Sequence, residues 1–233
     1  MLKLDLLYEG RSKKVFLTED PDLLMMDYKE EGITFGEEEK GNVIKKAVVN
    51  NRMTNHIFRM LEEKGIPTHY VQELSDYETV VKNVEIIPVK VVIRNIAAGS
   101  FSQKLGIEKG LELLEPTLEF WYKNKELGNP MINDYYAIAV GAATREEIDR
   151  ITELAFLINE ELQKFFAEMG MKLGDLKLEM GRYKGQIVLA DEISPDVCRF
   201  WKTDEGEDED VCPDKEPIGE EEAYRRIYTY MGL

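Results

Sequence analysis

Two cysteines, Cys198 and Cys212, and two histidines, His56 and His69, are all that the 233 residues hold of the side chains best suited to disulfides and zinc. That is too few for a disulfide framework or a plausible four-ligand zinc site, so the cysteines read as ordinary thiols. The histidines lie far apart and read as structural or surface residues. No run approaches the roughly 18 apolar residues of a membrane span, and the N-terminus has no signal-like apolar stretch. A cytoplasmic setting without a membrane partner is therefore the default expectation. Basic surplus is missing as well: the formal charge is −16. That balance argues against a general nucleic-acid binder, which needs basic surface, but not against a small phosphorylated substrate. Much of the charge is local, because Asp204 to Glu222 contributes a net −10, and the GEDEDV stretch within it reads as a solvated loop.

What is present is enough apolar sequence, 43% of residues, to bury a substantial core. LLYEGRSKKVF reads as two extended runs about a glycine-containing turn, DLLMMDYK as a further strand, and GITFGEEEKGN as a polar loop. Helices are predicted over 51–64, over 145–169 with a Thr144–Glu147 capping box, and near 219–231. Strands are predicted over 68–74, over 79–85 and in IIPVKVVIRN, where Pro88 favours an edge or strand-start position. Neither a repeat nor a low-complexity linker appears. The fold class expected is α+β, with a β-rich N-terminal lobe over 1–80 and a mixed α/β lobe over 81–233.

Three stretches carry candidate chemistry. In DLKLEMGRYKGQIVLADEISPD, Asp175, Lys177 and Glu179 alternate with Leu176, Leu178 and Met180, so the charged trio shares one face. A return strand brings Asp191 and Glu192 beside them, and carboxylates so gathered suit Mg²⁺ held against nucleotide phosphates, or else an exposed salt-bridged hairpin. In YEGRSKKVF, Gly10 permits close backbone approach while Arg11, Lys13 and Lys14 can meet phosphate charge, although the Walker A arrangement is absent. RNIAAGS offers Arg94 and Ser100 after an apolar strand, and EISPDVCRFW adds Asp196 and Arg199. Arg199 either joins Arg94 at a phosphate or pairs with Asp196.

Taken in order, LYEGRSKKVF, Asn50–Asn51, GIPTHY, PVKVVIRNIAAGS, LGIEKG, LGDLKLEMG and VLADEISPDVCRFW resemble the phosphoribosylaminoimidazole-succinocarboxamide synthase, or SAICAR synthetase, family. The resemblance implies a two-lobed fold with an ATP-grasp- or kinase-like nucleotide cleft. It implies ligation of L-aspartate to carboxyaminoimidazole ribonucleotide, driven by ATP with Mg²⁺ through an acyl phosphate, and a homodimer or larger homo-oligomer. On this resemblance Arg11, Lys13 and Lys123 would meet ATP. Glu179 and Asp191 would organise Mg²⁺, with Lys177 near the transferring phosphate or the substrate carboxylate. Arg94, Ser100, Asp196 and Arg199 would hold the ribonucleotide. Several residues depart from the family pattern. Lys90 stands where a glutamate is usual, Gln103–Lys104 replaces Lys-Arg, Lys125 and Asn129 replace acidic residues, and the segments 32–41 and 202–216 differ. Lys90 reverses charge beside the substrate site, where it would meet the substrate carboxylate differently or weaken a cation site. These departures keep open an alternative, a nucleotide- or ribonucleotide-binding relative with altered specificity or without ligation.

Overall fold

The computed structural model describes residues 2–30, 34–35, 44–203 and 216–233. Most of the expected 32–42 loop, the GEDEDV stretch and Cys212 lie outside them. The chain forms two compact units. The first comprises Met1–Ile87, Glu179–Ser194 and Tyr224–Leu233, the second Pro88–Leu178 and Pro195–Ala223. A boundary after residue 80 fails, because it would cut a strand, Glu78–Lys82, that is hydrogen-bonded on both sides.

The first unit opens with β1 (Lys3–Glu9), β2 (Lys13–Thr18) and β3 (Leu23–Tyr28). Then come the short pair β4 (Thr34–Phe35) and β5 (Ile44–Lys45), helix α1 (Lys46–Glu63), and strands β6 (Tyr70–Glu73) and β7 (Glu78–Lys82). The five long strands form an antiparallel sheet in the order β1-β2-β3-β7-β6. Leu24, Met26, Tyr28 and Val81 pack with Ala47 of α1 as a buried cluster. The helix starts five residues before the expected position. Its N-cap, Lys45, makes no side-chain capping bond, so the start carries no capping signal.

The second unit is built on a sheet whose strands run β10 (Met131–Ile132), β9 (Glu112–Tyr122), β8 (Glu85–Ile96), β11 (Met171–Tyr183), with β13 (Cys198–Lys202) on the first half of β11. Pro88 is the fourth residue of β8, an interior strand, so it takes neither the edge nor the strand-start position; it lies just before the β8–β9 ladder, which begins at Val89, and removes no bond from it. Short helices α2 (Gly99–Leu105) and α3 (Asp134–Ala139) flank β9 in sequence. The long helix α4 (Arg145–Ala167) carries the expected capping box: Glu147 N–H donates to Thr144 Oγ1 (3.2 Å), and Thr144 N–H donates to Glu147 Oε2 (2.8 Å). It buries Ile148, Ile151, Leu154, Ala155, Ile158, Leu162, Phe165 and Phe166, the stripe that the 3.6-residue period marks out.

Asn159 of α4 exchanges amide hydrogen bonds of 2.9 Å with Asn95, and Phe166 meets Phe200 of β13 edge-on. Helix α4 thus covers one sheet face and leaves the other for Lys90, Arg94, Glu119, Asp175, Lys177 and Arg199, all at alternate positions of their strands. Strand β12 (Gln186–Ala190) pairs with Glu179–Tyr183 in the first unit. Lys184 and Gly185, at φ +48° and +81°, make the two-residue turn with positive φ at both positions that matches strand twist. Helix α5 (Glu220–Met231) ends the chain, and Tyr224 Oη donates to Asn50 Oδ1 at 2.8 Å. Among the described residues no helix is long and apolar enough to cross a membrane.

Candidate active site

In the first unit the cluster forms around Lys13. Register pairs Lys13 with Tyr28, and the buried Lys13 Nζ lies 5.4 Å from the tyrosine ring centroid. It reaches Asp191 Oδ1 at 2.5 Å and Glu192 Oε2 at 3.3 Å. Burial alone would lower the lysine pKa, but the Asp191 and Glu192 charges outweigh it and hold Lys13 charged. The hairpin that delivers these acids is anchored by hydrogen bonds on both sides of them. His69 N–H donates to Leu189 O (2.8 Å), and Thr54 Oγ1 of α1 donates to Ile193 O (3.0 Å). Asp191 sits at φ +64°, a left-handed conformation that non-glycine residues adopt at a cost of about 1–3 kcal/mol and that recurs at functional sites.

Register sets Glu179 opposite Ala190, so the ladder ends one residue before Asp191. Among the described residues no group of three or more His, Cys, Asp or Glu is placed to hold a metal. What Glu179 and Asp191 offer is the smaller set of hard oxygens that Mg²⁺ takes from protein when substrate phosphates complete its shell. The two carboxylates fit that mode and do not fit an all-protein cage. Arg11 is exposed in the β1–β2 turn.

In the second unit a row of alternating charge crosses four adjacent strands. Arg94 of β8 gives Nε–H to Glu119 Oε1 (2.7 Å) and Nη2–H to Glu119 Oε2 (3.0 Å) on β9. Its Nη1 reaches Asp175 Oδ2 on β11 at 3.2 Å, and the same oxygen meets Arg199 Nη2 on β13, the register partner of Asp175. Burial tends to raise the Glu119 pKa, but the bonds from Arg94 and from Trp121 Nε1 (2.9 Å) outweigh it and keep the carboxylate below its ordinary range. Arg94 is only 5% exposed, whereas Arg199 is 35% exposed. Three donors of Arg94 meet protein carboxylates, and Arg199 presents more of its guanidinium outward.

Gly99, at φ +55°, lies under Arg199, and this left-handed backbone favours glycine, while a Cβ there, 2.9 Å from Nη1, would displace the tip of Arg199. Ser100 follows in the first turn of α2. Lys177 extends from the same face. Partial burial and then Lys90, Arg199 and Arg94 push its pKa down, with Asp175 opposing them. Lys90 is half-buried opposite Trp121, Lys123 is exposed just beyond β9, and Asp196 is exposed in a 3-10 turn (Pro195–Val197). The expected alternative pairing of Arg199 with Asp196 gives way to the pairing with Asp175, its register partner.

Sequence reasoning missed Glu119, Trp121 and Tyr28. For Glu119 a signal was available: in TLEFWY the polar and apolar positions alternate, as in the stretch that revealed Lys177 and Glu179. Cys198 is buried, and burial raises its thiol pKa, which suits an inert core thiol.

Fold and side chains together define a two-unit α+β protein whose sheets present lysines, arginines and paired carboxylates of the kind that receive phosphorylated ligands. The chain belongs to the SAICAR synthetase family, whose model matches residues 6–223. A phosphoribosylaminoimidazole-succinocarboxamide synthase of Lachnoclostridium phytofermentans is 51% identical over 236 residues, covering 100% of both chains. A crystal structure of phosphoribosylaminoimidazole-succinocarboxamide synthase from Ehrlichia chaffeensis superposes with a TM-score of 0.83 at 32% identity, covering 98% of each chain. A structure described as SAICAR synthetase (Type-2) in complex with ADP matches with a TM-score of 0.80 at 37% identity over 95% of each chain.

Proposed function

We propose that the chain is an ATP-dependent ligase. It joins L-aspartate to the carboxylate of carboxyaminoimidazole ribonucleotide and yields SAICAR, ADP and phosphate. The observation that carries this reading is the full-length similarity to the Lachnoclostridium synthase, and the row of alternating charge agrees with it. On this reading Lys13 and Arg11 meet the ATP phosphates, with Lys123 a further contact. Lys13 exchanges part of its bonding to Asp191 and Glu192 for phosphate oxygens. Glu179 and Asp191 would hold Mg²⁺, which when bound neutralises charge on the transferring phosphoryl group.

Arg199 and Ser100 bind the phosphate of the ribonucleotide, Arg94 braces Arg199 through Asp175, and Asp196 meets the sugar. Lys177 and Lys90 lie against the substrate carboxylate. That carboxylate attacks the γ-phosphorus, the bond to the β–γ bridging oxygen breaks, and ADP leaves. The aspartate amine, its ammonium proton given to solvent, then attacks the acyl carbon; the C–O bond to phosphate breaks, the departing phosphate takes up the second N–H proton, and an amide forms. Charge stabilisation by fixed cations is the main contribution asked of the protein.

Purified protein given aspartate, Mg²⁺, ATP and carboxyaminoimidazole ribonucleotide should yield SAICAR and ADP in equal amounts. A second reading, nucleotide and ribonucleotide binding without ligation, draws on the added positive charge of Lys90 beside Lys177. It predicts ADP binding with no aspartate-dependent product, and that result would displace the ligase reading.

A further inference from the structure

We infer that Glu119 is a positioning residue for the phosphate of the ribonucleotide, acting through Arg94 and Asp175 on Arg199; this rests on the proposed ligase reading of that face. Glu119 contacts Arg94 along its Nε–Nη2 edge with both carboxylate oxygens, at 2.7 and 3.0 Å. Trp121 Nε1–H, at 2.9 Å from Oε2, fixes the carboxylate in turn. With that edge clamped, Nη1 of Arg94 is directed at Asp175 Oδ2, the oxygen that also receives Arg199. An acceptor shared by two guanidinium groups holds each less firmly than one serving a single partner. Arg199 is therefore oriented over Gly99 by Asp175 without being fully neutralised by it, and its exposed edge stays available to an anion.

Releasing Arg94 from Glu119 undoes both effects. Its guanidinium gains freedom to turn away from Asp175, and Asp175 becomes a competitor of the ligand for Arg199. An amide at position 119 is no substitute. Oε2 accepts from Arg94 Nη2 and from Trp121 Nε1, so a glutamine nitrogen there faces two donors, and flipping the amide breaks the bond from Arg94 Nε instead.

Field and position predict opposite outcomes, which makes the inference testable. Glu119→Gln removes a negative charge, so a purely electrostatic role predicts tighter anion binding; Glu119→Asp keeps the charge and shortens the reach. Positioning predicts that both variants weaken binding of ribose 5-phosphate, measured by titration calorimetry, by about 10-fold or more, the order expected for a lost charge-assisted bond. ADP affinity should stay within about twofold, and in turnover KM for the ribonucleotide should rise about 10-fold while kcat falls less than about threefold.

Thermal melts establish that each variant is folded, and if Glu119→Gln is not, Glu119→Asp and Trp121→Phe carry the test. Unchanged or tighter ribose 5-phosphate binding in folded variants would overturn the inference, as would failure of the unmodified protein to bind it. If the unmodified protein binds ribose 5-phosphate but makes no SAICAR, the ligase reading falls while the calorimetric comparison still decides the role of Glu119.

Discussion

His69 packs edge-on against Phe58, ring centroids 5.4 Å apart, with Lys13 nearby. Burial and then the lysine charge push its pKa down to about 3. The unfolded chain binds this proton near pH 6.5 and the folded chain does not, so the stability tied to neutral His69 is complete above pH 6.5 and drains away as pH falls toward 3. Urea denaturation at pH 7 and pH 5 should show His69→Gln losing about 2 kcal/mol less than the unmodified protein over that interval. Lys13→Met tests the neighbouring ion pair, because it leaves Asp191 and the buried Glu192 without their cation. A loss of about 2–3 kcal/mol at pH 7 is expected, discounted for the partial exposure of Asp191. The loss should shrink on acidification, as the stranded carboxylates take up protons.

At the scale of elements, β11 owes its fit to Gly174, where a Cβ would lie 2.0 Å from the Trp201 ring. Gly174→Ala should cost about 3 kcal/mol and shift the tryptophan emission maximum, since a side chain 2% exposed has little room to yield. Elements with a strong local signature were legible in the sequence. Helix α4 announced itself through its capping box and apolar stripe, and the hairpin of β11 and β12 through alternation and its glycine. Strand β9 was not legible, because the register with β8 jumps from Thr117 to Glu112 and the intervening LLEP obeys neither period. Helix α2 is seven residues long and buries none of them, so no apolar face betrayed it. The site was half legible for the same reason. Charged residues on alternating strands could be named, but which carboxylate meets which arginine depends on pairing between segments up to 81 residues apart, as Arg94 and Asp175 are.

For the whole molecule, the compact units do not follow the chain from end to end: Glu179–Ser194 belongs with Met1–Ile87. Asp191 and Glu192 therefore reach Lys13 only after almost all of the sequence has been laid down. If this unit holds nucleotide, ADP with Mg²⁺ at about 100 times its Kd should stabilise the protein by about 2.7 kcal/mol in a thermal melt, and Lys13→Met should abolish the gain.

Glu119, Arg94, Asp175 and Arg199 alternate in sign across neighbouring strands, so each is paired with the residues beside it. Heredity can then alter the row only in concert. A lone reversal sets like charges side by side within a buried stretch, and the damage is relieved by a matching change next door rather than anywhere else in the chain. Under selection for growth, charge reversal at Arg94 should thus be recovered only with changes at both Glu119 and Asp175, its two neighbours in the row.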